Sequence, residues 1–249
     1  MPTETITLTS DGLTIAAAVG WPDRLDPAPA LILCHGFGSC KEHHADFAAA
    51  AVAQGWAVLN FDWRGHGASD GCLDSRAIND VGAALAWLRS RSQVDARRIV
   101  VRGSSMGGYF ALHAAQQWPD LAGCVAISPP DEAALAGVLR DAHDPATAIG
   151  AWRATGSDFP RVMGCDLGCW LESHNLYETV AALTPRPLLL ISCSGDELGA
   201  APIAARLAAA AHDPKTLWLL DGGSHRFPSH DPATGARTLA WLAATLGGA

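Results

Sequence analysis

Residues 98–115 read RIVVRGSSMGGYFALHAA: an apolar run, two serines among glycines, then a second apolar run at helical spacing. A serine hydroxyl is a weak nucleophile at neutral pH and needs a base, itself oriented by a carboxylate. A nucleophile on a strand-to-helix turn also needs small neighbours two positions either side, so that strand and helix can approach. Ser105 has Gly103 and Gly107 there, whereas Ser104 has Arg102 and Met106. Steric logic selects Ser105. A second G-x-S-x-G match, GASDG at Gly67–Gly71, is set apart by context. Ser69 lies beyond the end of its strand run and is followed by Asp-Gly rather than an apolar helix, so it reads as a loop residue. The plain alternative for Ser105 is a serine capping the next helix.

The base is sought at another strand end. His225, in LLDGGSHRF, follows the last strand run on a Gly-Gly-Ser loop. His212 ends a helix run, His230 lies further along, and His113 sits inside the helix after Ser105. His43 and His44 open a polar helix and read as a solvated face. For the acid, PLLLISCSGD puts Asp196 just past its strand, with Asp131 and Glu132 after GCVAISPP as fallback. Asp221 reads as a turn residue ending a strand. The expected triad is therefore Ser105, Asp196 and His225, in a chain order that suits a nucleophile raised on a parallel sheet. Acyl transfer also needs donors for an oxyanion. The Met106 N–H, at a helix N-terminus, is one, and the Phe37 N–H in His35-Gly36-Phe37-Gly38 is the second. Those glycines could instead serve ordinary turn geometry.

The elements that must hold these groups are legible as apolar runs. Six strand candidates, 30–35, 57–62, 98–103, 123–128, 187–192 and 216–221, are nearly continuous in apolar residues, as in parallel strands covered on both faces. Helical stretches at 41–54, 76–91, 106–117, 200–211 and 232–246 alternate with them, which predicts a doubly wound α/β sheet. Thr5 to Gly20 alternates around Asp11-Gly12, a hairpin signal. The interval 129–186 is too long for one crossover and reads as a lid or cap inserted in a single domain spanning 1–249. Its Trp152, Phe159 and Trp170 either line a substrate pocket or form the insertion's own small core.

Composition narrows the function classes. The chain of 249 residues carries a net charge of −8 and no basic block, which argues against nucleic acid or an anionic membrane as partner. No basic n-region with an apolar run opens it, and no run suits a membrane span, so a cytoplasmic protein is the expectation. Seven cysteines without framework spacing read as reduced thiols, with Cys34, Cys124 and Cys193 on strand runs. Cys165, Cys169 and His174 make a fragment of a metal pattern with no clear fourth ligand, so no metal is expected.

HGFGSCKE at 35–42, the D-x-R-G-H-G-x-S segment from Asp62 to Ser69, GSSMGG, and the settings of Asp196 and His225 together resemble the α/β-hydrolase superfamily. The likeness spans nearly the whole chain. It is nearest to small esterases of the cinnamoyl/feruloyl type and to dienelactone-hydrolase or prolyl-oligopeptidase-like hydrolases. The resemblance implies an eight-stranded, mostly parallel sheet with an antiparallel second strand. It implies a cofactor-free ester hydrolase, acting on small to medium acyl groups, aromatic ones included. It also makes the Asp62–Gly71 stretch a structural turn beside the pocket. Serine at 105 departs from the cysteine of dienelactone hydrolases and the aspartate of haloalkane dehalogenases. A thioesterase, an amidase, a C–C bond hydrolase or a non-catalytic small-molecule-binding homologue could use the same residues; a peptidase fits less well, because the chain has no room for a large extra domain.

Overall fold

A computed structural model describes residues 3–24, 26–144, 146, 161 and 164–247. Its centre is one eight-stranded sheet in the order β1-β2-β4-β3-β5-β6-β7-β8. The strands are β1 (Thr3–Ser10), β2 (Leu13–Gly20), β3 (Ala28–Cys34), β4 (Ala57–Phe61), β5 (Val94–Ser104), β6 (Gly123–Ile127), β7 (Leu188–Cys193) and β8 (Lys215–Leu220). The Asp11-Gly12 turn, with both residues at positive φ, joins β1 to β2 as an antiparallel hairpin. β2 pairs antiparallel with β4, and β3 through β8 run parallel. This is the mostly parallel α/β sheet expected from the resemblance.

Alternate side chains of each central strand point to opposite faces, and both faces are covered, which is why these strands are mostly apolar, with Asn60 and Arg102 as buried exceptions. Leu31, Leu33, Val58, Val100, Val125, Leu189 and Ile191 pack against α1 (Ala45–Ala53) and the C-terminal helix α9 (Pro232–Leu246) through Phe47, Leu239 and Leu242. Ile32, Leu59, Val101, Ala126 and Leu190 face the other layer. That layer contains α2 (Ile78–Arg89), α3 (Met106–Gln117) and α7 (Ala200–Ala210), contributing Leu85, Phe110 and Leu207. β8 departs from the buried strand its composition suggests: it is an edge, and Leu219 stands exposed.

The interval between β6 and β7 holds three described helices, α4 (Glu132–Ala142), α5 (Gly164–Ser173) and α6 (Leu176–Ala181). Leu135, Leu167, Leu171, Leu176 and Val180 join their buried side chains to the main core. Trp152 and Phe159 lie outside the described residues. A short helix α8 (Phe227–His230) follows the β8 loop. Among the described residues no helix is long and apolar enough to cross a membrane.

Candidate active site

The turn from β5 into α3 is built around Ser105, which has φ 54° and ψ −124°. Positive φ is costly for a residue with a side chain and persists only where the surroundings enforce it. Here they do. A Cβ on Gly103 would overlap the Gly107 carbonyl, and one on Gly107 would overlap the carbonyls of Cys34 and His35. Strand, turn and helix touch backbone to backbone, as the glycine spacing predicts. Ser104 continues the strand, paired with Ile127. Ser105 occupies the N-cap position, yet its hydroxyl makes no capping hydrogen bond. Its backbone N–H donates instead to Ile127 O at 2.8 Å.

Asp196 follows β7 and His225 follows β8, so adjacent strand ends bring them together. His225 Nδ1 lies 2.8 Å from Asp196 Oδ2 and 3.0 Å from Oδ1. The Asp196 side chain is fully buried. Burial alone would raise its pKa. The hydrogen bond and charge of His225, the Leu198 N–H and the Ser128 hydroxyl outweigh burial and hold it below the usual carboxylate value. An ionised Asp196 keeps the imidazole proton on Nδ1, leaving Nε2 as the basic nitrogen. That Nε2 is buried and has no hydrogen-bond partner among the described residues, Ser105 included. A loose serine–histidine contact is common in unliganded sites and tightens on substrate binding. Glu197 steadies the same loop by accepting the His225 backbone N–H at 2.9 Å.

The fallback acids are engaged elsewhere. Asp131 caps α4 through Ala134 N and accepts from Tyr177 Oη at 2.9 Å and Arg206 Nη2 at 3.2 Å. Glu132 lies 3.8 Å from His113 Nε2 on α3. Asp221 accepts from Ser194 Oγ, as a turn residue would.

The HGFG loop abuts the Ser105 turn: a Cβ on Gly36 would lie 3.2 Å from Ser105 Cβ. His35 fixes this loop. Its Nδ1 donates to Gly36 O at 2.8 Å, its Nε2 accepts from Trp63 N at 3.2 Å, and its carbonyl accepts from Trp63 Nε1. Burial pushes the His35 pKa down to about 4, so the ring is neutral. The decoy Ser69 is buried and committed, donating to Asp62 O at 2.6 Å and accepting from Ala16 N at 2.9 Å. Asp62 in turn binds both the backbone N and Nζ of Lys41.

Ser105 and His225 border two cavities. One, of about 210 Å³, is largely apolar and includes Phe37, Met106, Leu135, Val138 and Ile203. The other, of about 280 Å³, includes Phe37, Glu197, His44, Arg226, Ser229 and His230. Phe37 and Met106 line the apolar cavity together with Ser105. Trp170 is not among the lining of either cavity. Its indole donates to Tyr109 Oη at 3.2 Å and stacks on His174 at 3.5 Å, which gives it a packing position against α3. His44 reverses its sequence expectation: it is buried, and its ring stacks on His230 at 5.5 Å. A one-turn 3-10 helix at Lys41–His44 rotates it inward, a shift that polar patterning does not reveal. Among the described residues no group of three or more His, Cys, Asp or Glu side chains could hold a metal ion.

A family model described as serine aminopeptidase, S33, matches residues 26–149. An uncharacterized protein of Mycobacterium tuberculosis is 30% identical over 201 residues, 80% of this chain and 64% of that protein's length. The esterase domain of a Rhodothermus marinus protein has 27% identity and a TM-score of 0.73 over 97% of this chain and 98% of that one. The α/β-hydrolase GrgF from Penicillium sp. sh18 superimposes with a TM-score of 0.80 at 22% identity, over 98% and 99% of the two chains. The chain has the α/β-hydrolase fold.

Proposed function

We propose that this chain is a serine hydrolase of carboxylic esters. One observation carries the reading: a positive-φ serine with an uncommitted hydroxyl shares two cavities with a histidine already paired to a buried carboxylate. In the proposed reaction His225 Nε2 takes the Ser105 proton as Oγ bonds to the ester carbonyl carbon. The Phe37 and Met106 N–H groups bind the resulting oxyanion. Collapse breaks the C–O bond to the alcohol, which leaves with the proton from His225. Water then attacks the acyl carbon, gives a proton to His225, and frees the acid as Ser105 regains its hydrogen. Asp196 holds the imidazole and stabilises its cation.

The apolar cavity suits a small to medium acyl or alcohol hydrocarbon, aromatic ones included. The interval 129–186 is assigned the role of a cover, because α4 lines that cavity through Leu135 and Val138. A peptidase reading, suggested by the description of the matching family, would require a carboxylate free to hold a substrate ammonium. Glu197, in the larger cavity, already holds the His225 backbone, and Asp141, in the apolar one, is also engaged.

p-Nitrophenyl butyrate should be hydrolysed. Ser105→Ala should lower kcat by about 10⁴-fold or more, and Asp196→Asn by about 10⁴-fold. A fluorophosphonate should label Ser105 covalently. Undiminished turnover in Ser105→Ala would remove the serine from the mechanism, and tight ligand binding without labelling would favour a receptor.

A further inference from the structure

Three cavities lie in a row and share walls. Ser105, Phe37, Val138, Leu198 and His225 separate the apolar cavity from the larger one. His44, Ser229 and His230 separate the larger one from a third, of about 180 Å³, bordered by His43, Asp46 and Phe47. The two walls of the middle cavity differ in kind. The first carries the reacting groups. The second carries polar groups with unfilled bonding capacity.

His44 is 4% exposed, and its Nδ1 has no hydrogen-bond partner among the described residues. Behind this wall lies Arg102, 2% exposed, on the strand that leads to Ser105. Its guanidinium lies 3.8 Å over the Phe47 ring, and Nη2 donates to Ser229 O at 3.4 Å. Its Nε has no partner, and no carboxylate among the described residues pairs with it. Buried charges are normally paired, because an isolated one loses its hydration without compensation. Burial alone holds the Arg102 pKa down to about 9. Arg226 adds a second cation to the cavity lining. This concentration of cations runs against a chain of net charge −8. The carboxylates on the three cavities are Glu197, tied to the His225 backbone, Asp46 and Asp231 in the third cavity, where Asp231 caps α9 through Thr234, and Asp141 in the apolar one.

We propose that the wall formed by His44, Ser229 and His230, with Arg102 behind it, binds a carboxylate carried by the ester substrate. The preferred substrates are then esters with a free carboxylate at one end and an apolar group at the other, and Ser105 meets the ester between them. One buried guanidinium balances one negative charge, and a neutral imidazole can turn one N–H toward it, which suits a carboxylate better than a phosphate dianion. This substrate class rests on the ester-hydrolase reading.

The test separates the two claims. Monomethyl succinate and its neutral isostere methyl butyrate are titrated into the Ser105→Ala protein in chloride-free buffer. The succinate ester should bind at least about tenfold tighter. Adding Arg102→Met should shrink that ratio to below about threefold, and Arg102→Lys should restore most of it. If Arg102→Met does not fold, His44→Leu must show the same collapse. Equal affinities for the two esters, or an Arg102→Met change that weakens both alike, overturns the carboxylate site. In parallel, kcat/KM of the wild type is compared for p-nitrophenyl hemisuccinate and p-nitrophenyl butyrate. Hydrolysis of both without preference for the hemisuccinate also overturns the site while leaving the hydrolase standing. Hydrolysis of neither removes the hydrolase reading, and the binding ratio still decides the site.

Discussion

Arg64 and Arg102 are both removed from solvent, and their surroundings could hardly differ more. Arg64 reaches Asp80 through Nε and Nη2, Asp74 through Nη1, and Asp11 and Ser10 through Nη2. Its guanidinium ties α2 and the Asp62–Gly71 turn to the β1–β2 hairpin. Burial opposes its charge, but the carboxylates outweigh burial and raise its pKa above the ordinary arginine value. Among the described residues Arg102 has one carbonyl, one aromatic face and no carboxylate. A cation whose work is to join elements is saturated by the chain itself. A cation whose work is to meet a ligand must be left short of partners.

The sharpest way to break this contrast is to remove the first guanidinium. Arg64→Met leaves Asp80 buried without its counter-ion and should cost about 3–5 kcal/mol in urea unfolding. A loss below about 1 kcal/mol would show that the network contributes no more than apolar packing.

Acid should then separate the buried histidines from the Arg64 carboxylates by window. His44, beside Arg102, is held neutral, and so are His35 and His66, which lie against the Trp63–Arg64 backbone. Burial is the leading cause for each; Arg102, His35, His230 and His43 add to it around His44. A histidine whose pKa is lowered on folding stabilises fully above its unfolded value, and that contribution falls as pH drops toward the folded value. Unfolding midpoints should therefore fall between about pH 6.5 and pH 4, by on the order of 2–3 kcal/mol for His35 alone. On the Arg64 side Asp11 has a lowered pKa through its hydrogen bonds to Asn79 and Arg64. Asp74 is opposed by burial but lowered by Arg76 and Arg64. Their contribution should persist to lower pH, lost only as those carboxylates protonate. A midpoint flat from pH 7 to pH 4 would contradict the neutral histidines.

The smallest effect should be the most telling. Arg102→Met should leave unfolding free energy within about 1 kcal/mol of the wild type, or raise it, because it removes an unpaired buried charge. A loss as large as that of Arg64→Met would mean that Arg102 is a structural cation after all.

Much of this site was legible before the fold was known, for local reasons. Ser105 could be chosen over Ser104 and Ser69 because the close approach of strand and helix depends on residues two positions away. Asp196 and His225 stood out because parallel strands place their following loops at one edge. The helices at 106–117 and 232–246 begin and end where their spacing indicates. Trp170 was not legible in the same way, since an indole in an insertion can fill a pocket or pack on a helix, and only the position of Tyr109 distinguishes the two.

The sequence alone determined the alternating α/β order, the two-residue hairpin turn and the glycine-flanked serine, because each depends on backbone geometry within a few residues. Tertiary structure decided which cations are neutralised. Arg64 finds Asp11, 53 positions away, and Asp80, 16 away, whereas Arg102 reaches Ser229 at a separation of 127 and meets its carbonyl rather than a carboxylate among the described residues. Charge compensation in a buried site depends on which distant side chains arrive there, and nothing in RIVVRGSSMGG records that for Arg102.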